Sequence, residues 1–284
     1  MFEFLNFYFS TAGIDANILH LALTGLVIGF LAGFLGVGGG FIMVPILTIV
    51  FGVPMKIAIG TDTFYIVLTA LSGAYKHIKN GFVNFKIVGV IAASAILAAQ
   101  LGAMLCIETP KEMVQLLFGV FLLLIAFNML IKTNIFNKNK KGGNIQRYGF
   151  WTEFREEKYF VSIPKALGIG VLVGGFSGFF GVGGAVLLIP LMLSVLMLPM
   201  YLVIGSSLLV VMLSALSGSL RYFIEGFVDI PLGIALLCGS IIGSYIGAHM
   251  ASKTQPEKLR KVFAVMLVLV GLMMMFKALG IFGH

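Results

Sequence analysis

Long apolar runs separated by short polar turns make up most of this chain, and two of those runs are too long for a single membrane crossing. Residues 18–53 hold no Lys, Arg, Asp or Glu over 36 positions, about 54 Å as one continuous helix. A crossing needs only about 20 residues. The run contains a glycine ladder at four-residue spacing, Gly25, Gly29 and Gly33. It then reaches the cluster Gly36-Val37-Gly38-Gly39-Gly40 and closes at Pro45. Glycine is a poor helix former, so the pattern predicts two shorter helices, broken or re-entrant at Gly36–Gly40. Packing alone is the competing role for these glycines, since small residues let membrane helices approach closely. Further spans are expected at about 55–76, ending in the polar turn 76–81, and at about 84–107 and 112–132.

The pattern then repeats at a constant offset of 145 residues without a gap. Gly170, Gly174 and Gly178 form the second ladder, Gly181-Val182-Gly183-Gly184 the second cluster, and Pro190 the second proline. Downstream, Gly60/Gly205, Gly73/Gly218, Gly81/Gly226 and Gly102/Gly247 keep the same offset. A broken segment at about 163–197 is therefore expected, followed by spans near 200–222, 228–252 and 257–280. An ungapped match of this length indicates duplication. The predicted fold class is an all-α polytopic membrane protein built from two homologous repeats. Repeat 1 covers residues 18–132, a polar cytoplasmic linker 133–162, and repeat 2 163–282.

Composition agrees with this class. Of the 284 residues, 60% are hydrophobic and 11% charged, and the mean hydropathy is +1.08. Such a chain belongs in a bilayer. The formal charge of +8 gathers in the polar segments between spans, where topology places it, and does not point to nucleic acid. Residues 1–17 carry no Lys or Arg, so the positive region of a cleavable signal is missing there. The two cysteines do not correspond between repeats and read as packing residues. If each glycine-broken stretch returns to its own side, the halves are antiparallel. Fifteen of the 19 basic residues then share one face, leaving Lys56, Lys111, Arg221 and Lys277 on the other. The positive-inside rule favours that arrangement, with the linker cytoplasmic and both termini outside.

Inverted repeats would bring the two glycine clusters together near the midplane. Unwound backbone is tolerated in a membrane only where protein or a water-filled cavity covers it, and free amides at a helix N-terminus suit an anion. The candidate anion-binding residues are Gly36, Gly38, Gly39, Gly40, Gly181, Gly183 and Gly184, with hydroxyls from Thr61, Thr63, Ser206 and Ser207. Arg221 and its counterpart Lys76 either steer anions or anchor at the interface. Asp62 is the one acidic residue well inside an expected span, and such a group is costly there. It is a candidate for coupling to H+ or Na+, against a carboxylate that reaches headgroups or Lys56. His77 is a second coupling candidate, against a plain turn histidine. Glu225 and Asp229 flank a turn and read as solvated. No cofactor or metal is expected, because the four histidines form no cluster with cysteine or acid. GVGG lacks the Lys-Ser/Thr tail of a phosphate loop, and no nucleophile–base pair is evident, so an enzyme is not expected.

At these residues the chain resembles the TauE/SafE sulfite-exporter family of membrane permeases. The resemblance rests on GFLGVGGGFIMVP and GFFGVGGAVLLIP, on Gly60-Thr61 and Gly205-Ser206, and on the helix ends His77…Gly81-Phe82-Val83-Asn84 and Tyr222…Gly226-Phe227-Val228-Asp229. It spans both halves. It implies a permease of the cell (inner) membrane that moves sulfite or small organosulfonates, usually outward. One position departs: Asp62 stands where a small neutral residue is expected, as Ser207 is in the second copy. A passive anion channel and a non-transporting scaffold or receptor are the rival readings. The anion, the flux direction, the driving ion and any oligomer stay open.

Overall fold

The computed structural model describes residues 6–131 and 148–278. The first half runs β1 (Asn6–Phe9), β2 (Ile14–Asn17), α1 (Ile18–Leu35), α2 (Gly40–Ile49), α3 (Met55–Lys79), α4 (Phe85–Glu108) and α5 (Lys111–Ile131). The second runs β3 (Gly149–Phe154), β4 (Glu157–Ser162), α6 (Ile163–Phe180), α7 (Ala185–Ser194), α8 (Met200–Ile224), α9 (Ile230–Ala251) and α10 (Pro256–Ala278). Every helix of the second half starts 145 residues after its counterpart. Among the described residues, seven helices are long and apolar enough to cross a membrane, and the protein is a polytopic, mostly helical membrane protein. The outer face of α4 leaves Leu97, Leu101 and Leu105 exposed, a stripe at four-residue spacing suited to lipid.

Glycine decides how the halves interlock. In α1, a Cβ on Gly25, Gly29 or Gly33 would overlap the backbone of Leu236, Ser240 or Ser244 in α9. Gly239, Gly243 and Gly247 of α9 lie equally close to Ala22, Leu26 and Phe30. The second half copies the arrangement, with Gly170, Gly174 and Gly178 of α6 against Ile91, Ala95 and Ala99 of α4. Each ladder thus packs on the fourth helix of the other half. Helices α3 and α8 run in opposite directions through the centre. Gly60 of α3 lies against Tyr222 and Phe227, and Gly205 of α8 against Phe82.

Three features differ from the sequence expectation. Helix α3 continues through Lys79 rather than ending at 76, because His77 is buried and packs on α1. The turn falls later, where Gly81 takes φ +71°. Asp229 is buried rather than solvated: it caps α9 by accepting from Leu232 N at 3.0 Å and holds Ala12 N at 2.9 Å. Finally, two β-hairpins replace irregular chain. In β3, burial alternates along Phe150, Trp151, Thr152 and Glu153, the two-residue period of a strand. Surrounding charges hide that period in the sequence. Each hairpin docks on the other half: β1–β2 on Asp229, β3–β4 through Thr152, whose hydroxyl oxygen accepts from Asn84 Nδ2. The expected linker positions 133–147 lie outside the described residues.

Candidate functional site

The site grows from the two chain reversals at the glycine clusters. Helix α1 ends at Leu35, and Gly36, Gly38 and Gly39 take φ of 76°, 75° and 94° before α2 begins at Gly40. Helix α6 ends at Phe180, and Gly181, Gly183 and Gly184 take 70°, 66° and 73° before α7 begins at Ala185. Left-handed φ costs a residue with a Cβ about 1–2 kcal/mol, so glycine is the residue that makes these turns. The amides of Gly36 and Val37 still bond Ala32, and those of Ile42 and Met43 bond Gly39. Among the described residues, Gly38, Gly39, Gly40 and Phe41 have amides with no backbone acceptor, as do Gly183, Gly184 and Ala185. These are the free donors that every helix start leaves.

The two reversals meet. A Cβ on Gly38 would touch Val211 and Ile66 at 2.8 and 3.2 Å, and one on Gly183 would meet the same two side chains. Ile66 and Val211 are counterparts at the 145 offset, each the twelfth residue of its helix, so the meeting point is the centre of the molecule. A Cβ on Gly40 would stand 2.9 Å from Val182 Cα. Both glycine segments and both cluster valines are buried.

Hydroxyls around this centre are bound to the backbone. Ser207 donates to Gly36 O at 2.6 Å and to Ile204 O at 2.9 Å. Thr61 accepts from Asp229 N at 2.9 Å, and its counterpart Ser206 accepts from Asn84 N at 3.0 Å. Thr63 donates to Gly60 O at 2.7 Å within its own helix. These groups position the helices; the backbone amides are the donors left over.

Asp62 is the exception. It is fully buried, and neither carboxylate oxygen has a hydrogen-bond partner. It faces Gly40, where a Cβ would collide with Asp62 Oδ2. It therefore lies beside the N-terminus of α2, and Lys56 is engaged elsewhere, on Ile107 O at 2.5 Å. Two other expected residues are not at the centre. Arg221 is ten residues beyond Val211, about 15 Å along the helix, and pairs with Glu225 at 2.8 Å. His77 is eleven residues beyond Ile66, about 17 Å. Its Nε2 donates to Gly33 O at 3.1 Å, as Tyr222 does to Gly178 O at 2.7 Å in the second half.

Sequence reasoning passed over Tyr65, Thr69, Ser240 and Ser244. Tyr65 is fully buried with an unpartnered hydroxyl, in electrostatic contact with Asp62 and beside Thr69 and Ser240. Thr69 and Ser240 share a hydrogen bond of 2.9 Å, and Ser244 donates to Thr69 O at 2.9 Å. The available signal was the spacing of Asp62, Tyr65, Thr69, Gly73 and His77, one face of a helix.

The sequence profile of a family described as Sulfite exporter TauE/SafE matches residues 21–274. Among curated proteins, the probable membrane transporter protein YunE of Bacillus subtilis is 27% identical over 275 residues, covering 94% of this chain and 99% of that protein. The probable membrane transporter protein YdhB of the same organism is 28% identical, covering 90% and 99%. The probable membrane transporter protein MJ0441 of Methanocaldococcus jannaschii is 27% identical, covering 90% and 94%. No solved structure matches the chain.

Proposed function

This chain belongs to the sulfite exporter TauE/SafE family, and on that premise we propose that it is a secondary carrier of small sulfur-containing anions, such as sulfite or organosulfonates, working outward across the cell membrane. The observation that carries the reading is the convergence of Gly38 and Gly183 on Ile66 and Val211. It gathers the unbonded amides that start α2 and α7 into one buried place. Two helix N-termini aimed at one point make a neutral donor set for an anion. A neutral site also releases its ligand more readily than a fixed cation.

We read the two halves as inverted repeats. The opposite directions of α3 and α8 support this, as does the path of the first broken stretch. Helix α1 starts at the hairpin docked on Asp229, and α2 ends where Lys277, at the close of α10, donates to Thr48 O. A stretch that leaves and returns on one side inverts the next half. Inverted halves around a central site supply the two exchangeable states that alternating access needs.

Counterflow in proteoliposomes is the test. Vesicles preloaded with sulfite, thiosulfate or a small sulfonate should accumulate labelled solute by exchange. Conductance without exchange would make the protein a channel, and neither would make it a scaffold.

A further inference from the structure

We infer that Asp62 takes up a proton with each anion bound, and that the buried face formed by Tyr65, Thr69, Ser240, Ser244 and His77 conducts that proton to and from one side of the membrane. The inference rests on the carrier reading above and adds its coupling ion and route.

Charge at the anion site gives the first reason. Asp62 lies against Gly40, among the same free amides that would hold the anion. An ionised carboxylate there would repel the anion strongly in a low-dielectric centre. A buried carboxylate without a partner or counter-ion is itself costly, and a bound proton removes that cost. Binding a proton and an anion together thus favours each, and the pair crosses with one charge fewer. Among the described residues, no group is bonded to either oxygen of Asp62. Helices α2 and α7 and both glycine segments carry no ionisable side chain. At this level α8 presents Ser207 and Val211, α9 presents Gly233 and Ser240, and on α3 itself Tyr65 is the ionisable neighbour. Asp229, the other buried carboxylate among the described residues, has both oxygens hydrogen-bonded.

The second reason is asymmetry between the halves. The counterparts of Asp62, Tyr65, His77, Ser240 and Ser244 at the 145 offset are Ser207, Val210, Tyr222, Ala95 and Ala99. The fold does not need the acid of Asp62, the phenol of Tyr65 or the imidazole of His77 at these places, because the second half builds the same architecture with Ser207, Val210 and Tyr222 there. In the first half they follow one another along a single helix face. Ser244 donates to Thr69 O and would meet a Cβ on Gly73 at 2.6 Å, and Gly73 adjoins Gly33, whose carbonyl His77 holds. His77 is buried with Nδ1 unpartnered. Facing it are the Gly33 carbonyl of α1 and Phe82 of the following turn. Its charged neighbours on α3, Lys76 and Lys79, lie over the rings of Tyr245 and Tyr75. No carboxylate faces it among the described residues, so its free nitrogen remains available to a proton arriving from the α3–α4 turn.

Proteoliposomes containing the full chain and a trapped pH indicator test this. Thiosulfate and ethanesulfonate serve as probes because neither carries a proton of its own at neutral pH. Wild-type protein is expected to move protons in the same direction as the anion. Asp62→Ser, which installs the side chain of the equivalent position, should abolish anion-linked proton movement. Tyr65→Phe and His77→Gln should each slow it about tenfold or more. Net anion uptake down a gradient without proton movement in the wild type, or undiminished proton movement in Asp62→Ser, overturns the inference. If neither anion is exchanged, the carrier reading fails separately, and infrared spectroscopy decides the remainder. A protonated-carboxyl band at neutral pH that is absent in Asp62→Asn supports a proton on Asp62, and no such band in the wild type overturns it.

Discussion

The hydroxyl of Ser207 donates to the carbonyl of Gly36 at 2.6 Å, joining α8 of the second half to the chain reversal of the first. Gly36 sits at a helix end, where carbonyls have lost their usual partners, and both residues are fully enclosed. Removing the donor strands the acceptor. Ser207→Ala should therefore cost about 1–3 kcal/mol, seen as a lower thermal midpoint of the detergent-solubilised protein, and should reduce anion flux. An unchanged midpoint and unchanged flux would mean that this bond does not hold the reversal.

The glycine clusters should tolerate no side chain. Gly39 and Gly184 have φ of 94° and 73°, and a Cβ on Gly184 would press on Val173 O at 2.5 Å. Gly39→Val and Gly184→Val should abolish anion exchange while the protein still inserts in the membrane. Gly89→Ala in α4, where a Cβ meets nothing within 4 Å, should exchange normally. Full exchange by both valine variants would remove the backbone amides from the mechanism.

The ladder makes a different prediction, about assembly rather than transport. Gly29 abuts Ser240 along its backbone, whereas a Cβ on Gly175 of α6 meets nothing within 4 Å. Gly29→Leu should push α1 away from α9, and the variant should lose its monodisperse elution and gain protease sensitivity. Gly175→Ala should behave as wild type. Equal behaviour of the two would show that close helix approach is not what Gly29 provides.

The sequence carried the helices and their repetition because glycine, proline and apolar runs act locally. Among the described residues, the 145-residue offset locates the five helix starts of the second half from those of the first. Partnership was less legible. Nothing local says that Thr61 and Ser206 receive the amides of Asp229 and Asn84, or that Asp229 is a buried cap rather than a solvated turn residue. Those facts depend on which half packs on which. His77 was misplaced for the same reason: a polar run Lys76–Gly81 looks like a turn until Gly33 of α1 supplies a partner. The hairpins were hidden because strands of four to six residues give a weak period, and in β3–β4 charges interrupt it further. Tyr65, Thr69 and Ser240 had a legible spacing, but their shared interior is a property of the α3–α9 contact.

Asn84 and Asp229 are equivalent caps that also fasten the hairpins. Asn84 accepts from Lys86 N and Ile87 N at 3.1 Å each. Asp229→Ala removes the acceptor of both Leu232 N and Ala12 N, the second of which belongs to β1–β2. A loss of about 1–3 kcal/mol is expected, with hydrogen exchange rising in residues 6–17 as the hairpin comes free. Unaltered exchange there would show that other contacts keep the hairpin in place.

Orientation can be decided with thiol chemistry. The packing places the α3–α4 turn, the β3–β4 hairpin and the α9–α10 turn on one side, because the hairpin docks on Asn84 and α3 runs opposite to α8 and parallel to α9. Gly60 and Thr61 lie by the α8–α9 turn, and Thr69 and Gly73 lie by Ser240 and Ser244. That side holds Lys76, Lys79, Arg155, Lys158 and Lys253 among the described residues, and positive charge is retained in the cytoplasm. Lys111 begins α5 on the opposite side and is well exposed. Free Cys106 and Cys238 must first be replaced by serine, since Cys238 is exposed. In that background, an impermeant maleimide added to intact cells should modify Lys111→Cys at once. Gln255→Cys should react only after the membrane is opened. The reverse pattern would turn the whole molecule over in the bilayer, and immediate labelling at both positions would place the two turns on one side, which the antiparallel course of α3 and α8 does not allow.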